Sequence, residues 1–137
     1  MTCVRSGEPV AWYLDTSAFL KLIVDEVSSS AMRDWYSANT QVWSSQLLCT
    51  EALRAAQRLQ IDLRLVEEAL DTVTLVLPSV ATYASAGRLE PHGLRSLDAL
   101  HLAAALELGS DLEGMVVYDQ RLADAARDTS IEVVVPS

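Results

Sequence analysis

The sequence predicts an α/β domain with a central, mostly parallel sheet, and three observations carry that reading. Short apolar, β-branched or aromatic runs alternate with helix-period segments along the whole chain. The runs stop at prolines, capping residues or acids, which open the next turn or helix. Finally, Asp15, Glu51, Asp98 and Asp119 each sit where an apolar run gives way to a helix. In a parallel α/β fold those positions gather on one edge of the sheet, where ligands bind.

The elements follow in order. Ala11-Trp12-Tyr13-Leu14 reads as a buried strand that stops at Asp15. Asp15, Thr16 and Ser17 offer helix-capping oxygens, and Ala18 to Val24 continues as a compact helix. A second helical pattern spans Ser28 to Ala38, with Met32, Trp35 and Tyr36 at helix spacing, and Thr40 to Ser44 reads as the second strand. Gln46 to Leu59 carries one apolar stripe, Leu48, Ala52, Ala55, Ala56 and Leu59, expected to face the core. A helix over Leu63 to Asp71 precedes the β-branched run Val73 to Leu77, which Pro78 ends.

Val80 to Leu89 is helical, and Glu90-Pro91-His92-Gly93 is a loop of turn residues. Ser96 opens the clearest helix in the chain, with Leu97, Leu100, His101, Ala104 and Leu108 on the predicted core face and Gly109 closing it. Met115 to Tyr118 is a strand ending at Asp119, Gln120 to Arg127 a short helix, and Ile131 to Val135 a last strand. No internal repeat or linker interrupts residues 1–137, so one domain is expected, with residues 1–10 as an N-terminal arm.

Composition narrows the function classes. With 137 residues, 50% of them hydrophobic and 21% charged, the chain suits an ordinary globular domain with a sizeable core. No apolar run approaches the ~20 residues of a membrane span, and Met1 to Pro9 lacks a secretory apolar core, so a cytoplasmic location is expected. Cys3 and Cys49 make neither a disulfide framework nor, with the two histidines, a zinc spacing. A net charge of −9 disfavours nonspecific nucleic-acid binding and favours a basic partner segment. Any contact with nucleic acid must come from local arginines.

Each acid has a local explanation. Asp15 and Asp119 can cap the helices that follow, Asp98 suits a helix's first turn, and Glu51 suits a solvated helix face. Taken together they point elsewhere. Asp15 follows an aromatic strand and Asp98 lies inside an apolar helix, where carboxylates are costly unless paired or metal-bound. Arg95 and Arg121 are available for pairing, but four acids on one edge suggest a divalent-cation site. All-oxygen ligation favours Mg²⁺ or Mn²⁺ over zinc or copper, and no calcium-loop spacing is present. Phosphodiester hydrolysis is the chemistry such a site serves most naturally.

Leu14-Asp15-Thr16-Ser17-Ala18, Thr50-Glu51-Ala52-Leu53-Arg54, Leu94 through Ala103, and Tyr118-Asp119-Gln120-Arg121-Leu122 resemble the four motifs of PIN-domain ribonucleases, especially the VapC toxins of type II toxin–antitoxin systems. The likeness runs from Trp12 to Val135. It implies a PIN-like three-layer α/β/α domain and a Mg²⁺- or Mn²⁺-dependent endoribonuclease. It also implies a cognate VapB-type antitoxin that blocks the site, and a homodimer. By position, Asp15, Glu51, Asp98 and Asp119 form the acidic cluster. Asp15 and Asp98 are the expected direct metal ligands, Glu51 orients water or a second cation, and Asp119 acts through water. Thr16 and Ser17 are expected to support Asp15 or a bound water. Two departures stand out: Val117 lies where many relatives carry Thr or Ser, and the segment before Trp12 is longer than usual.

Other residues stand beside these. His101 lies one helical turn from Asp98 but reads foremost as a packed core histidine. Arg54 and Arg58, one turn apart, with Arg95 and Arg121 beside two acids, are candidate RNA-phosphate contacts. Trp12, Trp35, Tyr36 and Trp43 read as core or dimer-interface residues, and Met32, Trp35 and Tyr36 as an apolar surface for an antitoxin helix. A receiver domain is excluded because the only lysine is Lys21, and Asp15-Thr16-Ser17 lacks the second acid of a haloacid-dehalogenase site. Phe19 breaks the pattern of an adhesion-type metal site. The remaining alternative is a catalytically silent PIN-like module whose acidic groove holds a basic segment.

Overall fold

A computed structural model of the chain describes residues 11–39 and 41–137. The expected N-terminal arm, Cys3 and the Thr40 start of the second strand lie outside the described residues. Five strands, β1 (Ala11–Leu14), β2 (Val42–Ser45), β3 (Thr74–Val76), β4 (Leu112–Val116) and β5 (Val133–Val134), form one sheet in the order β3-β2-β1-β4-β5. Every pairing is parallel. Seven α-helices are described: α1 (Thr16–Lys21), α2 (Ser29–Ala38), α3 (Leu47–Arg58), α4 (Leu63–Leu70), α5 (Val80–Arg88), α6 (Ser96–Leu106) and α7 (Gln120–Asp128).

Side-chain alternation along the strands separates the helices into two layers. Leu14, Val42 and Val116 pack on Phe19 of α1, Met32 of α2, Leu48 and Ala52 of α3, and Val66 and Leu70 of α4. Their strand neighbours Tyr13, Met115 and Val117 face the other way, onto Leu102 and Ala105 of α6 and Leu122 and Ala126 of α7. Helix α5 joins this second layer through Ala86, which meets Ala99 and Ala103 of α6. The result is the α/β/α sandwich expected of strands whose two faces are both apolar.

Several boundaries and faces differ from expectation. Helix α1 ends at Lys21, and the segment to Val24 turns away, fixed by the Ser29 hydroxyl donating to the Val24 carbonyl. Strand β4 starts three residues early, at Leu112, and β5 shrinks to two residues. The expected core face of α6 is corrected in part. Ala99, His101, Leu102, Ala103, Ala104 and Ala105 are buried, whereas Leu97 is 46% exposed. A helix apolar on nearly every side has no single stripe, so periodicity selects a face poorly. On α3, Leu48, Ala52, Ala55 and Ala56 are buried as expected, but Leu59 caps the helix in solvent.

The surface expected on α2 is also corrected. Met32 is fully buried, Trp35 packs edge-on against Trp12 with ring centroids 5.5 Å apart, and Tyr36 hydrogen-bonds Thr72. Met32 is thus closed to any partner, while Trp35 and Tyr36 pack on the core with part of each side chain at the surface.

Candidate active site: an acidic cleft at the carboxyl edge of the sheet

Strand β1 is the point where the chain's connections diverge, toward β2 and β3 on one side and toward β4 and β5 on the other. Open α/β sheets bind ligands just beyond the carboxyl ends of strands at such a switch point. Asp15 is the first residue after β1, and Asp119 lies three residues beyond the end of β4. Asp98 lies in the first turn of α6, and Glu51 lies on α3, which starts right after β2.

Asp15 is 3% exposed and caps α1, its Oδ1 accepting the Ala18 N–H at 3.0 Å. The Ser17 hydroxyl donates to the same carboxylate at 2.7 Å and accepts the Tyr118 N–H at 2.9 Å, tying the end of β4 to α1. Burial pushes the Asp15 carboxyl up to about 6, against the pull of those hydrogen bonds and of His101, and the field of Asp98 raises it further.

Asp98 is likewise raised, first by burial and then by Asp119, while Arg95 opposes the shift. Arg95 joins the two acids. Its Nε donates to Asp98 at 3.2 Å and its Nη2 to Asp119 at 3.2 Å. Asp119 also caps α7 by accepting the Leu122 N–H. Glu51 has different company: His101 Nε2 lies 2.6 Å from its Oε1, and the Thr16 hydroxyl donates to that oxygen at 2.8 Å. Burial would raise Glu51, but His101, Thr16 and Arg95 hold its carboxyl below the ordinary range.

The structure places the four predicted acids at this edge, with Ser17 on Asp15 as expected, whereas Thr16 hydrogen-bonds Glu51 instead of Asp15. Sequence reasoning favoured packing for His101, one turn from Asp98, and did not single out Tyr13. His101 is buried, as expected, yet both ring nitrogens are engaged, Nδ1 by the Tyr13 hydroxyl at 2.8 Å. A signal was present: His101 is the only polar side chain between Leu100 and Leu106, and a buried polar group requires partners. Val117 is fully buried against the α6 and α7 layer, so its side chain belongs to the core.

The candidate cations separate by place. Arg54 and Arg58 line a cavity of 290 Å³ together with Thr16, Glu51 and Leu97. Arg95 lies among the acids, and Arg121 lines another cavity with Pro91, Leu94 and Asp124. A cavity of 530 Å³ lies between α5 and α6 and holds none of the four acids.

Among the described residues, no three His, Cys, Asp or Glu side chains close into a ready-made metal cage. The donors do fit a hard cation. Asp15 and Asp98 offer carboxylate oxygens, Asp15 being raised first by burial and also by the charge of Asp98, and Mg²⁺ is commonly held by one or two carboxylates with water completing its shell.

The fold and the site together define a class: a three-layer α/β/α domain with an acidic cluster at the switch point of a parallel sheet. The model of the PIN domain family matches residues 12–128. The chain is 38% identical over 128 residues to Ribonuclease VapC46 of Mycobacterium tuberculosis, covering 93% of this chain and 98% of that relative. It is 39% identical over 134 residues to Ribonuclease VapC35 of the same organism, covering 90% and 96%. The crystal structure of Mycobacterium tuberculosis VapC20, a sarcin-ricin loop cleaving toxin, has the same fold, with a TM-score of 0.69 over 83% of this chain and 94% of that one, at 17% identity. This chain belongs to the PIN-domain family, in its VapC ribonuclease group.

Proposed function

We propose that the chain is a toxin of toxin–antitoxin type, a divalent-metal-dependent endoribonuclease that hydrolyses RNA phosphodiester bonds and is neutralised by a cognate VapB-type antitoxin. One observation carries the reading. Asp15, almost wholly buried at the carboxyl end of β1, feels Asp98 as a repelling charge, in a domain of the VapC group. Burying a carboxylate against a like charge destabilises the fold, which makes sense where a cation is to be held.

In this reading Asp15 and Asp98 hold Mg²⁺ or Mn²⁺, and Ser17 orients Asp15 through its hydroxyl. When bound, such an ion neutralises charge that builds on the phosphate and makes water a stronger nucleophile. Glu51 orients the attacking water and accepts its proton, with Thr16 fixing the carboxylate. Asp119 acts at one remove, through water. Arg54 and Arg58 receive RNA phosphates along the cavity they share with Glu51. Arg95 exchanges its carboxylate partners for phosphate when the cation and RNA enter, and Arg121 contacts the strand farther from the acids. The working unit is a homodimer.

The test is cleavage of a panel of structured RNAs, transfer RNA included, with Mg²⁺ or Mn²⁺ and then with EDTA. Metal-dependent cleavage by the wild type that Asp98→Asn loses supports the reading. No cleavage by folded, antitoxin-free protein leaves the silent module that grips a basic segment.

A further inference from the structure

We propose that Tyr13 and His101 form a buried tether that fixes one oxygen of Glu51, so that the carboxylate meets the cleft with its other oxygen. Both are positioning residues. The geometry stands on hydrogen bonds alone, and its catalytic meaning rests on the ribonuclease reading above.

The tether has one direction. Glu51 Oε1, as a carboxylate oxygen, only accepts, so His101 Nε2 carries the proton of the 2.6 Å contact. With the ring neutral, as the proposal takes it, Nδ1 accepts and the Tyr13 hydroxyl, 2.8 Å away, donates. The order of donation is Tyr13 to His101 to Glu51. Neither Tyr13 nor the His101 ring has slack to turn: Tyr13 is fully buried, His101 is 1% exposed, and the two rings meet edge to face at 5.8 Å.

Thr16 donates to the same Glu51 oxygen at 2.8 Å. Oε1 therefore receives two donors, whereas Oε2 receives no hydrogen bond from any described residue. Glu51 also lines the cavity that Arg54 and Arg58 border, so the uncommitted oxygen belongs to the carboxylate next to the proposed RNA path.

Position in the fold gives the tether its purpose. Glu51 rides on α3 in one helical layer and His101 on α6 in the other, with Tyr13 in the strand between them. The hydrogen bonds thus fix the relation between two layers at the edge where the acids meet. Packing alone would be served as well by apolar side chains, which avoid the desolvation of a hydroxyl, an imidazole and a carboxylate. Buried partners that orient a reacting carboxylate are worth far more to rate than to stability.

Two measurements on the full chain test this. In the first, ¹⁵N shifts of the His101 ring should show protonated Nε2 and an accepting Nδ1, and Tyr13→Phe should move the Nδ1 signal. A ring protonated at Nδ1, alone or together with Nε2, would reverse the donation from Tyr13 and overturn the tether. The second uses a pool of fluorophore–quencher RNA hairpins with randomised loops and Mn²⁺, from which kcat and KM are read for the members cleaved. Tyr13→Phe should lower kcat about tenfold with KM within about twofold, and His101→Met about a hundredfold. His101→Gln, whose side-chain amide can replace the Nε2 donor, should recover most of that loss. Equal losses in His101→Met and His101→Gln, or wild-type kcat in Tyr13→Phe, would overturn the proposal while leaving the ribonuclease reading intact. A wild type that cuts no member of the pool would overturn the ribonuclease reading and the catalytic purpose of the tether, and the ring spectrum would still decide its geometry.

Discussion

Asp15 binds its proton more tightly in the folded chain than in the unfolded one, because burial lifts its carboxyl from 3.8 to about 6. The sign follows from linkage. The stabilisation from a raised carboxyl is fully present below the unfolded value and is lost as pH rises through the folded one. In protein stripped of divalent ions, this side chain should therefore cost up to ~3 kcal/mol of stability between about pH 4 and 7. Asp98 is shifted the same way, whereas Glu51 is lowered and contributes stability that is lost as pH falls below its ordinary range. The contribution of Asp15 is isolated by difference. Urea melts of wild type and Asp15→Asn with EDTA should diverge as pH rises from 4 to 7, with the variant the more stable at pH 7. Parallel curves would show that Asp15 is better solvated than its 3% exposure implies. At this scale the sequence was informative about carboxylates, because an acid beside an apolar run is conspicuous. It was poor on their partners, since the contact between His101 and Glu51 spans fifty positions.

Gly114 shows how an element can depend on a missing side chain. In β4 it stands in register with Trp12 of β1, and a Cβ there would lie 2.6 Å from Trp12 Cζ3 and 2.7 Å from the Glu132 carbonyl oxygen. The second obstacle is backbone, so relief requires the strand leading into β5 to shift. Gly114→Ala is expected to destabilise the protein by about 1–3 kcal/mol, the usual cost of overpacking, and denaturant melts would measure it. An unchanged midpoint would mean that the Trp12 ring and the chain at Glu132 both yield freely. Alternation and capping made the existence and order of the elements legible, because those signals are local. Their faces were legible only where polarity is segregated. The stripe on α3 was read correctly apart from Leu59, whereas on α6 the exposed Leu97 and the buried Leu102 were exchanged because that helix is apolar nearly all round. The misplacement of Met32 has a similar origin: periodicity put it with Trp35 and Tyr36 but did not say which way the group faced.

For the whole molecule, strand order is what local patterns leave out. The arrangement β3-β2-β1-β4-β5 places Asp15 at the switch point, and it depends on pairings such as Leu14 with Val116, distant in sequence. Those pairings also put the few useful cations beside the acids. A chain with net charge −9 repels RNA at long range, so binding must rest on few contacts at short range. Arg54 and Arg58 line the Glu51 cavity and take part in none of the ion pairs among the described residues. Arg95, in contrast, is engaged by Asp98 and Asp119. With two or three phosphates neutralised, log affinity for single-stranded RNA should fall with log salt at a slope of only about −1.4 to −2.1. Replacing both Arg54 and Arg58 by Ala should flatten that slope by about 1.4 and weaken binding to every RNA alike, since phosphate contacts carry no sequence information. Fluorescence anisotropy between low and moderate salt, in an Asp98→Asn background that leaves the RNA intact, would measure both effects. A slope unchanged by the double substitution would place the phosphates elsewhere, with Arg95 and Arg121 the next cations to replace.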